Sequence, residues 1–481
     1  MRPHTHQVKE IGLQKKRKNH QDCSGLKQNN SGKWSFRMAG IVESVREALQ
    51  GTFLKSAEEA NELTAAVKRR RKFTPSSLAQ AFILALLQNP KAGHDDIASV
   101  AAASGVEVSP QAIEQRYSSS LAAFFKVLFG KMAKQIVASE VTLAPILSRF
   151  TEVILIDSSV IILPDSEQSE FRGCGGSYQA NQSAIKLQTE FNLRDGSLRC
   201  VELEQGRATD GATDRQQVIQ SKGSLRIADL GYYSIPVLER IDNADAYYLS
   251  RFPHTTMVHV GGIKHNLVQW LNSTQLGTID QVIELGASGR LKCRLVAWRV
   301  PEEIANTRRG KIRATSKRKK GREPNEAALA ACDWEFLVTN VGEDQLSFKE
   351  SIVLYRARWQ IELLFKRWKS YGRIDELDGK NDIVTMTRFW ARLCAALIQH
   401  WLSIAATWSP TLKVSLAKTA RLVRQIASEI ASSLSSGGDM TLLIERFCRQ
   451  ARAGCRLTTR HAAPGTFQLL RDPEMLEYSL T

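Results

Sequence analysis

The chain has 481 residues, which is enough for two to four domains with a substantial core. It is 43% hydrophobic and 24% charged, as ordinary globular proteins are, and its formal net charge of +17 favours a polyanionic partner, either nucleic acid or an anionic membrane. Its eight cysteines lack zinc-ligand spacing, and the sequence has neither a run of about 18 apolar residues nor an amphipathic membrane anchor. We therefore predict a reduced, soluble, intracellular protein whose partner is nucleic acid.

The first 150 residues divide into a tail and a helical segment. Residues 1–40 are polar and basic, so we expect a disordered tail. Residues 41–150 have a helical pattern with little strand signal. We expect this segment to be a DNA-binding domain.

Residues 95–125 within that segment have the outline of a helix-turn-helix. A turn at residues 104–106 separates a short first helix from a second helix, which Ser109 would cap with Pro110 at its first position. The second helix could lie in a DNA major groove, and the nearby "KRRRK" (residues 68–72) favours DNA binding. An ordinary helical hairpin is the alternative.

From residue 151 the pattern changes to strands. "TEVILIDSSVIIL" is typical of a central strand that is buried on both faces, and "SLRIADLGYYS" predicts a second buried strand. A β-rich stretch follows over residues 247–340. It contains a basic loop, residues 308–322, with nine Lys/Arg in fifteen residues; the loop is either a DNA-backbone contact or a solvated insertion. Helices return after this stretch and continue to the C-terminus.

Two aspartates are predicted at the ends of the buried strands. Asp157 ends the first and Asp229 ends the second. Aspartate is depleted in strands and costly to bury without a partner, so capping or turn formation explains these positions less well than metal binding. Carboxylate oxygens are the ligands that Mg²⁺ prefers.

A third acid lies in the stretch "YRARWQIELLFKRWKS". At about 100° per residue, Tyr355, Arg358, Glu362 and Lys369 share roughly 60° of one helix face, next to an apolar face that can pack on a sheet. The alternative is a solvated helix with an i,i+4 pair of Glu362 with Lys366.

The spacing of Tyr355, Arg358, Glu362 and Lys369 resembles the Y-R-E-K signature of bacterial insertion-sequence DDE transposases of the insertion-sequence-four type. This resemblance implies an α/β fold with a ribonuclease-H-like core, in which a mixed sheet is flanked by helices and a β-rich insertion precedes the last acid. It also implies roles for particular residues. The catalytic, metal-binding triad would be Asp157, Asp229 and Glu362, which would hold two Mg²⁺ ions, with Mn²⁺ as a substitute; the DNA-phosphate ligands would be Tyr355, Arg358 and Lys369.

The resemblance also implies that a tryptophan of the insertion stacks on a base flipped out of the DNA end. Trp334, in "DWEFLVT", is the candidate, and a core tryptophan is the alternative.

The expected organisation has five parts: a tail (1–40), a helical DNA-binding domain (41–150), a catalytic core (151–246 and 341–375), a β-rich insertion (247–340) and a helical C-terminal domain (376–481). The implied function is binding of terminal inverted repeats followed by Mg²⁺-dependent DNA cleavage and strand transfer. We expect a homodimer on double-stranded transposon ends and target DNA, in the bacterial cytosol or nucleoid. The alternatives are an inactive or domesticated transposase that only binds DNA, and a ribonuclease-H-like nuclease without strand transfer.

Overall fold

Helices form the N-terminal part of the chain. The computed structural model describes residues 30–174, 182–287, 291–377, 379, 381–409, 414–457 and 464–476. The N-terminal helices are α1 (Asn30–Gln50), α2 (Ala57–Thr64), α3 (Pro75–Gln88), α4 (His94–Ala103), α5 (Pro110–Glu114) and α6 (Ser119–Met132). Most of the expected tail, residues 1–29, lies outside the described residues. α1 begins at Asn30, inside the last part of the expected tail.

The turn between α4 and α5 agrees with the sequence pattern. Gly105 has φ +78°, a left-handed conformation that glycine adopts without strain. The Ser109 hydroxyl accepts a hydrogen bond from the Ala112 amide at 3.2 Å, and Pro110 is the first helical residue. However, α5 has only five residues, and a new helix, α6, starts after a cap at Ser118. The turn is thus followed by one very short helix and then by α6, which is buried along one face.

One mixed sheet of ten strands forms the centre of the molecule. Its strands in chain order are β1 (Val153–Ile162), β2 (Ala184–Asn192), β3 (Leu198–Gln205), β4 (Leu225–Ala228), β5 (Tyr247–Arg251), β6 (Met257–Val260), β7 (Ile263–Asn266), β8 (Thr278–Leu285), β9 (Leu291–Arg299) and β10 (Trp334–Thr339). Their order across the sheet is β3-β2-β1-β4-β5-β10-β9-β8-β6-β7.

The predicted insertion continues the same sheet. β1, β2 and β3 are antiparallel neighbours, β4 lies parallel to β1, and β5 lies parallel to β4. β10 then pairs antiparallel with β5 and with β9. The first and last strands of the β-rich stretch therefore extend the sheet to which β1 and β4 belong.

Four helices connect the strands of this half: α7 (Ile235–Asn243), α8 (Leu267–Ser273), α9 (Glu302–Lys320) and α10 (Glu326–Ala330). The prediction of a basic loop over residues 308–322 is wrong, because most of that segment belongs to α9. Lys, Arg and Ala are good helix formers, and α9 starts with Glu302 and Glu303 in its first turn, where acids interact favourably with the helix dipole.

The C-terminal part is helical: α11 (Phe348–Ala357), α12 (Trp359–Gly372), α13 (Asp382–Thr407), α14 (Leu416–Leu422), α15 (Ala427–Ser436), α16 (Met440–Gly454) and α17 (Thr466–Arg471). α13 is buried over most of its length and contacts α3, α6 and α16. One hydrophobic cluster accordingly joins the N-terminal helices, one side of the sheet and the C-terminal helices. In the part of the chain that the structure describes, none of the helices is both long and apolar enough to span a membrane.

Candidate active site

Asp157 lies within β1, not at its end as predicted. The strand continues to Ile162 because β2 pairs with it as far as Ile162↔Ala184. On the other side, however, the pairing with β4 stops at Ile156↔Ala228. Asp157 therefore has no strand neighbour on that side, and its carboxylate can face the residues that follow β4.

Asp229 follows the last residue of β4, as the sequence predicted. The chain leaves the sheet there in a short turn in which the Tyr232 amide donates to the Asp229 carbonyl at 3.0 Å. Because β1 and β4 are parallel neighbours and Ile156 pairs with Ala228, the two aspartates that follow these residues lie side by side. Ile156, Ala228 and Tyr232 form a small buried cluster beside them.

The remaining signature residues lie on α11 and α12. The predicted single helix is interrupted at Arg358, where the Ile361 amide bonds the Arg358 carbonyl three residues back. Arg358 keeps helical dihedral angles, so the course of the helix is preserved. The apolar face is buried as predicted, through Ile361, Leu364, Phe365 and Trp368.

The cations and the phenol of this helix contact the two aspartates and β1. Arg358 donates to Asp157 Oδ2 at 3.2 Å and also to Glu362 Oε1. The Tyr355 hydroxyl donates to Asp229 Oδ1 at 3.0 Å. Lys369 Nζ donates to the carbonyl of Val160, on β1, at 3.2 Å. The structure thus brings together six predicted site residues from three distant parts of the chain.

An open cavity of about 500 Å³ lies over this cluster. Its lining includes all three acids and the two cations Arg358 and Lys369, and the remaining lining residues are Ser158, Phe365 and Lys366. Carboxylates and cations therefore face the same solvent-accessible space.

The environment of Asp157 disfavours its charged form. Burial raises the pKa of this carboxyl to about 6, with a smaller contribution from the charges of Glu362 and Asp229. The Ser158 amide, which donates to Asp157 Oδ1 at 2.8 Å, and the Arg358 guanidinium act in the opposite direction. Burial, with the charge of Asp229, also raises the pKa of Tyr355, so its hydroxyl stays a hydrogen-bond donor.

Comparison with known proteins decides the class to which this arrangement belongs. Residues 148–398, more than half of the chain, match a family described as transposase DDE domain. The chain belongs to this family. The matched range contains the sheet, both aspartates and the helix that carries Glu362.

Similar proteins over a longer range are transposases of bacterial insertion sequences. The transposase for insertion sequence element IS231E of Bacillus thuringiensis subsp. finitimus is 26% identical over 362 residues, which cover 70% of this chain and 74% of that protein. The transposase for IS231F of Bacillus thuringiensis subsp. israelensis is 28% identical over 360 residues, or 70% of this chain and 74% of that protein. The transposase for IS1151 of Clostridium perfringens is 26% identical over 321 residues, or 62% and 66% of the two chains. This protein is accordingly a DDE transposase of the insertion-sequence type, an enzyme that acts on DNA.

Enzymes of this family use divalent metal ions, and the donor set of this transposase is chemically suitable. Three carboxylates line one cavity, and carboxylate oxygens suit a hard divalent cation. Within the described ranges, however, no three His, Cys, Asp or Glu side chains converge closely enough to hold one ion. Arg358 donates hydrogen bonds to both Asp157 and Glu362, so its guanidinium would have to move for both to bind the same ion.

Trp334 is not part of this cluster. Its side chain is 1% exposed, its Nε1 donates to Asn272 Oδ1 at 2.9 Å, and the Arg299 guanidinium lies 4.6 Å from its ring centroid. Stacking on a flipped base would require this ring to leave its packed position, so that role stays a prediction. Trp359, which is 53% exposed, lines a neighbouring cavity of about 360 Å³ together with Tyr355 and Arg358.

Two charged residues beside the aspartates were not predicted from the sequence. Arg251, the last residue of β5, has its Nη1 3.9 Å from Asp229 Oδ1. Asp210 lies in the loop after β3 and contacts Ser158 and Lys186. An available signal was the polar content of β2, in which Lys186, Gln188 and Glu190 occupy alternate positions.

Proposed function

We propose that this transposase binds the terminal inverted repeats of an insertion sequence and catalyses Mg²⁺-dependent DNA cleavage and strand transfer. The observation that carries the proposal is the convergence of Asp157, Asp229 and Glu362 on one open cavity that Arg358 and Lys369 also line. The acids lie on β1, just after β4 and on α12, which are far apart in the chain. A purely structural role would not require three acids to face the same solvent-accessible space.

We further propose that β1 to β5, with α11 and α12, form a ribonuclease-H-like catalytic core. This is supported by the positions of the acids, since Asp157 lies on the first strand, Asp229 follows the fourth strand and Glu362 lies on a helix packed against β1. The β-rich insertion, predicted over residues 247–340, would then begin after β5 and not at Tyr247.

In the proposed reaction, Asp157, Asp229 and Glu362 would hold two divalent ions, Mg²⁺ or Mn²⁺. When bound, the ions would activate a water and then the freed 3′-OH, and stabilise the leaving oxygen. Arg358 suits a two-point grip on a phosphate because its guanidinium presents parallel N–H groups. Tyr355 and Lys369 would hold phosphates on either side along the same helix face.

DNA outside the active site would contact two further basic surfaces. The residues 68–72 are exposed, and Arg116, just after α5, lies over the ring of Phe73, so the basic run lies beside the short helix pair. The second surface is α9.

We propose that the transposase acts as a homodimer on the DNA, because strand transfer joins two transposon ends to one target. We also propose that it is located at the nucleoid in the bacterial cytosol.

The test is nicking of a duplex that carries the element's own terminal repeats, with Mg²⁺ or Mn²⁺ present. We expect the wild type to nick at the repeat boundary, and Glu362→Gln to bind the same duplex without nicking it, because the substitution removes one charged ligand but preserves shape. Glu343→Gln, an exposed position outside the cavity, is the matched control and should nick like the wild type.

Two outcomes would contradict the proposal in different ways. Nicking retained by Glu362→Gln would remove this glutamate from the metal site. Repeat binding by a wild type that does not nick in either metal would indicate a DNA-binding protein that has lost its activity, and nicking without joined products would indicate a nuclease without strand transfer.

A further inference from the structure

A polar cluster lies behind the two aspartates, and its centre is Asp210, whose side chain is 30% exposed while its partners on β2 are buried. One carboxylate oxygen, Asp210 Oδ1, accepts three hydrogen bonds: from Ser158 Oγ at 2.8 Å, from Lys186 Nζ at 2.9 Å and from Gln188 Nε2 at 3.4 Å. Lys186 Nζ donates a further hydrogen bond to the carbonyl of Ala208 at 2.5 Å. Asp210 thereby joins its own loop to both β1 and β2.

The cluster reaches Asp157 through Ser158. The hydroxyl of Ser158 is held by Asp210, while its amide donates to Asp157 Oδ1 at 2.8 Å. A shift of Asp210 would therefore move the residue that orients the Asp157 carboxylate.

The cluster reaches Asp229 through Tyr232. The phenol of Tyr232 donates to Gln188 Oε1 at 2.7 Å, and its amide donates to the Asp229 carbonyl at 3.0 Å. The two loops also touch directly, since a Cβ on Gly231 would lie 3.2 Å from Asp210 Oδ2. Gly231 thus permits a close approach that a larger residue would obstruct.

Several members of the cluster are buried, so forming it costs desolvation free energy. Lys186 is 6% exposed, Gln188 0% and Tyr232 3%. At the Lys186 and Gln188 positions of β2, apolar residues would avoid the desolvation cost of a buried ion pair. A network of this kind fixes geometry when every member is bonded, and this one has bonds to both aspartates.

We propose that Asp210 is a positioning residue that fixes the separation of Asp157 and Asp229 so that both can bind the same metal centre. This inference rests on the metal site of the proposed function. Residues that orient metal ligands through hydrogen bonds commonly affect metal affinity by about 10- to 100-fold. Asp210 itself would touch neither the ions nor the DNA.

Two measurements on the full chain test the proposal, in wild type, Asp210→Asn and the control Asp214→Asn. Asp214 carries the same side chain in the same loop but is exposed. The first measurement is hydrogen exchange without metal, where Asp210→Asn should speed exchange in residues 155–160 and 229–233 and leave the helices unchanged. The second is Mn²⁺ binding followed by electron paramagnetic resonance, where Asp210→Asn should weaken affinity by about tenfold or more.

A second variant separates positioning from loss of stability. Ser158→Ala removes the hydroxyl that bonds Asp210, but it keeps the backbone amide that donates to Asp157 and the Lys186–Asp210 ion pair. It should therefore uncouple Asp157 from Asp210 and weaken Mn²⁺ binding with little change in melting temperature. Unchanged exchange at either aspartate, or wild-type Mn²⁺ affinity in Asp210→Asn, would overturn the proposal. A wild type that binds no Mn²⁺ would instead contradict the proposed metal site, and the positioning of the aspartates would then be decided by the exchange data alone.

Discussion

Arg358 is the residue on which the charge balance of the candidate site depends. It is the shared hydrogen-bond donor of Asp157 and Glu362, and its side chain is only 14% exposed. Two carboxylates that close together repel each other strongly at low dielectric, and one guanidinium offsets that repulsion. Divalent ions would take over this role under the proposed function, which would release Arg358 to bind a DNA phosphate. Arg358 thus has a role in both states of the site: it neutralises the acids when no metal is bound, and it binds DNA phosphate when the ions are present.

The two tryptophans near the site should respond differently to truncation. Trp334→Ala removes a fully buried ring together with its bond to Asn272, so we expect the free energy of unfolding to fall by about 3–5 kcal/mol. Trp359→Ala removes an exposed ring, and we expect a change within about 0.5 kcal/mol. Urea unfolding monitored by circular dichroism measures both. Equal stability losses would show that Trp334 is less tightly packed than its contacts indicate.

At the scale of elements, some cations of α9 pair with acids and others line a cavity. Arg308 pairs with Glu335, and Arg309 pairs with Asp333. Lys311 and Lys319 line a cavity of about 680 Å³ that Arg322 and His254 also line. Since Lys311 and Lys319 are eight residues apart, they lie on the same side of the helix. This side is therefore where we expect a DNA backbone to bind.

Charge reversal at Lys311 and Lys319 should weaken DNA binding by loss of phosphate contacts. Each contact contributes about 0.9 to the slope of log affinity against log salt, so the double variant should reduce that slope by about 2. Fluorescence anisotropy with a labelled duplex at several salt concentrations measures it. Lys222→Glu, on an exposed side chain just before β4, is the control with the same charge change per residue. A salt slope equal to that of the wild type would exclude this side of α9 as a DNA contact.

The sequence predicted elements wherever the signal is local. The Ser109 cap and the amphipathic helix around Glu362 depend on neighbouring residues, and the structure has both. α9 was missed because a segment with so many like charges is typical of a solvated loop. In the structure, Glu335 and Asp333, which lie outside the helix, neutralise part of that charge by pairing with Arg308 and Arg309. The position of Asp157 within its strand and the Asp210 cluster depend on partners far along the chain. Such contacts leave no periodic pattern in the sequence.

α13 carries a buried histidine that should make the stability pH-dependent. His400 is packed against Phe191, its Nε2 lies 3.0 Å from the Gly196 carbonyl, and burial lowers its pKa to about 3. The unfolded chain takes up a proton near pH 6.5 that the folded chain does not. Stability should therefore fall as the pH falls below about 6.5, by about 1.4 kcal/mol per pH unit from this residue.

His400→Gln isolates that contribution, because glutamine can still donate to the Gly196 carbonyl but does not titrate. The free energy of unfolding of both proteins is measured in urea from pH 7 to pH 4. Below about pH 6.5, the difference between wild type and variant should change by about 1.4 kcal/mol per pH unit. Parallel pH profiles for the two proteins would show that His400 is charged in the folded state.

At the scale of the whole molecule, the N-terminal and C-terminal helices form one hydrophobic core. Arg392 of α13 donates to the carbonyl of Pro90 at 3.0 Å, and Ser428 of α15 donates to Gln88 at 3.2 Å. Phe125 and Leu397 belong to the same buried cluster. A DNA-binding function of residues 41–150 would thus be physically coupled to the segment that follows Glu362 in the chain.

We therefore expect residues 41–150 not to fold cooperatively when produced alone. Separation from α13 would expose the faces of α3 and α6 that it covers, and burial of apolar surface is the main source of stability for helices of this length. Urea unfolding followed by circular dichroism should give a broad, non-cooperative transition for the isolated segment. Co-production of residues 376–481 is the control, and it should restore a sharp transition because it supplies the missing helices. A sharp transition in the isolated segment would show that the N-terminal helices are an independent domain. Any effect of DNA binding by residues 41–150 on the C-terminal helices would then have to be transmitted through the bound DNA.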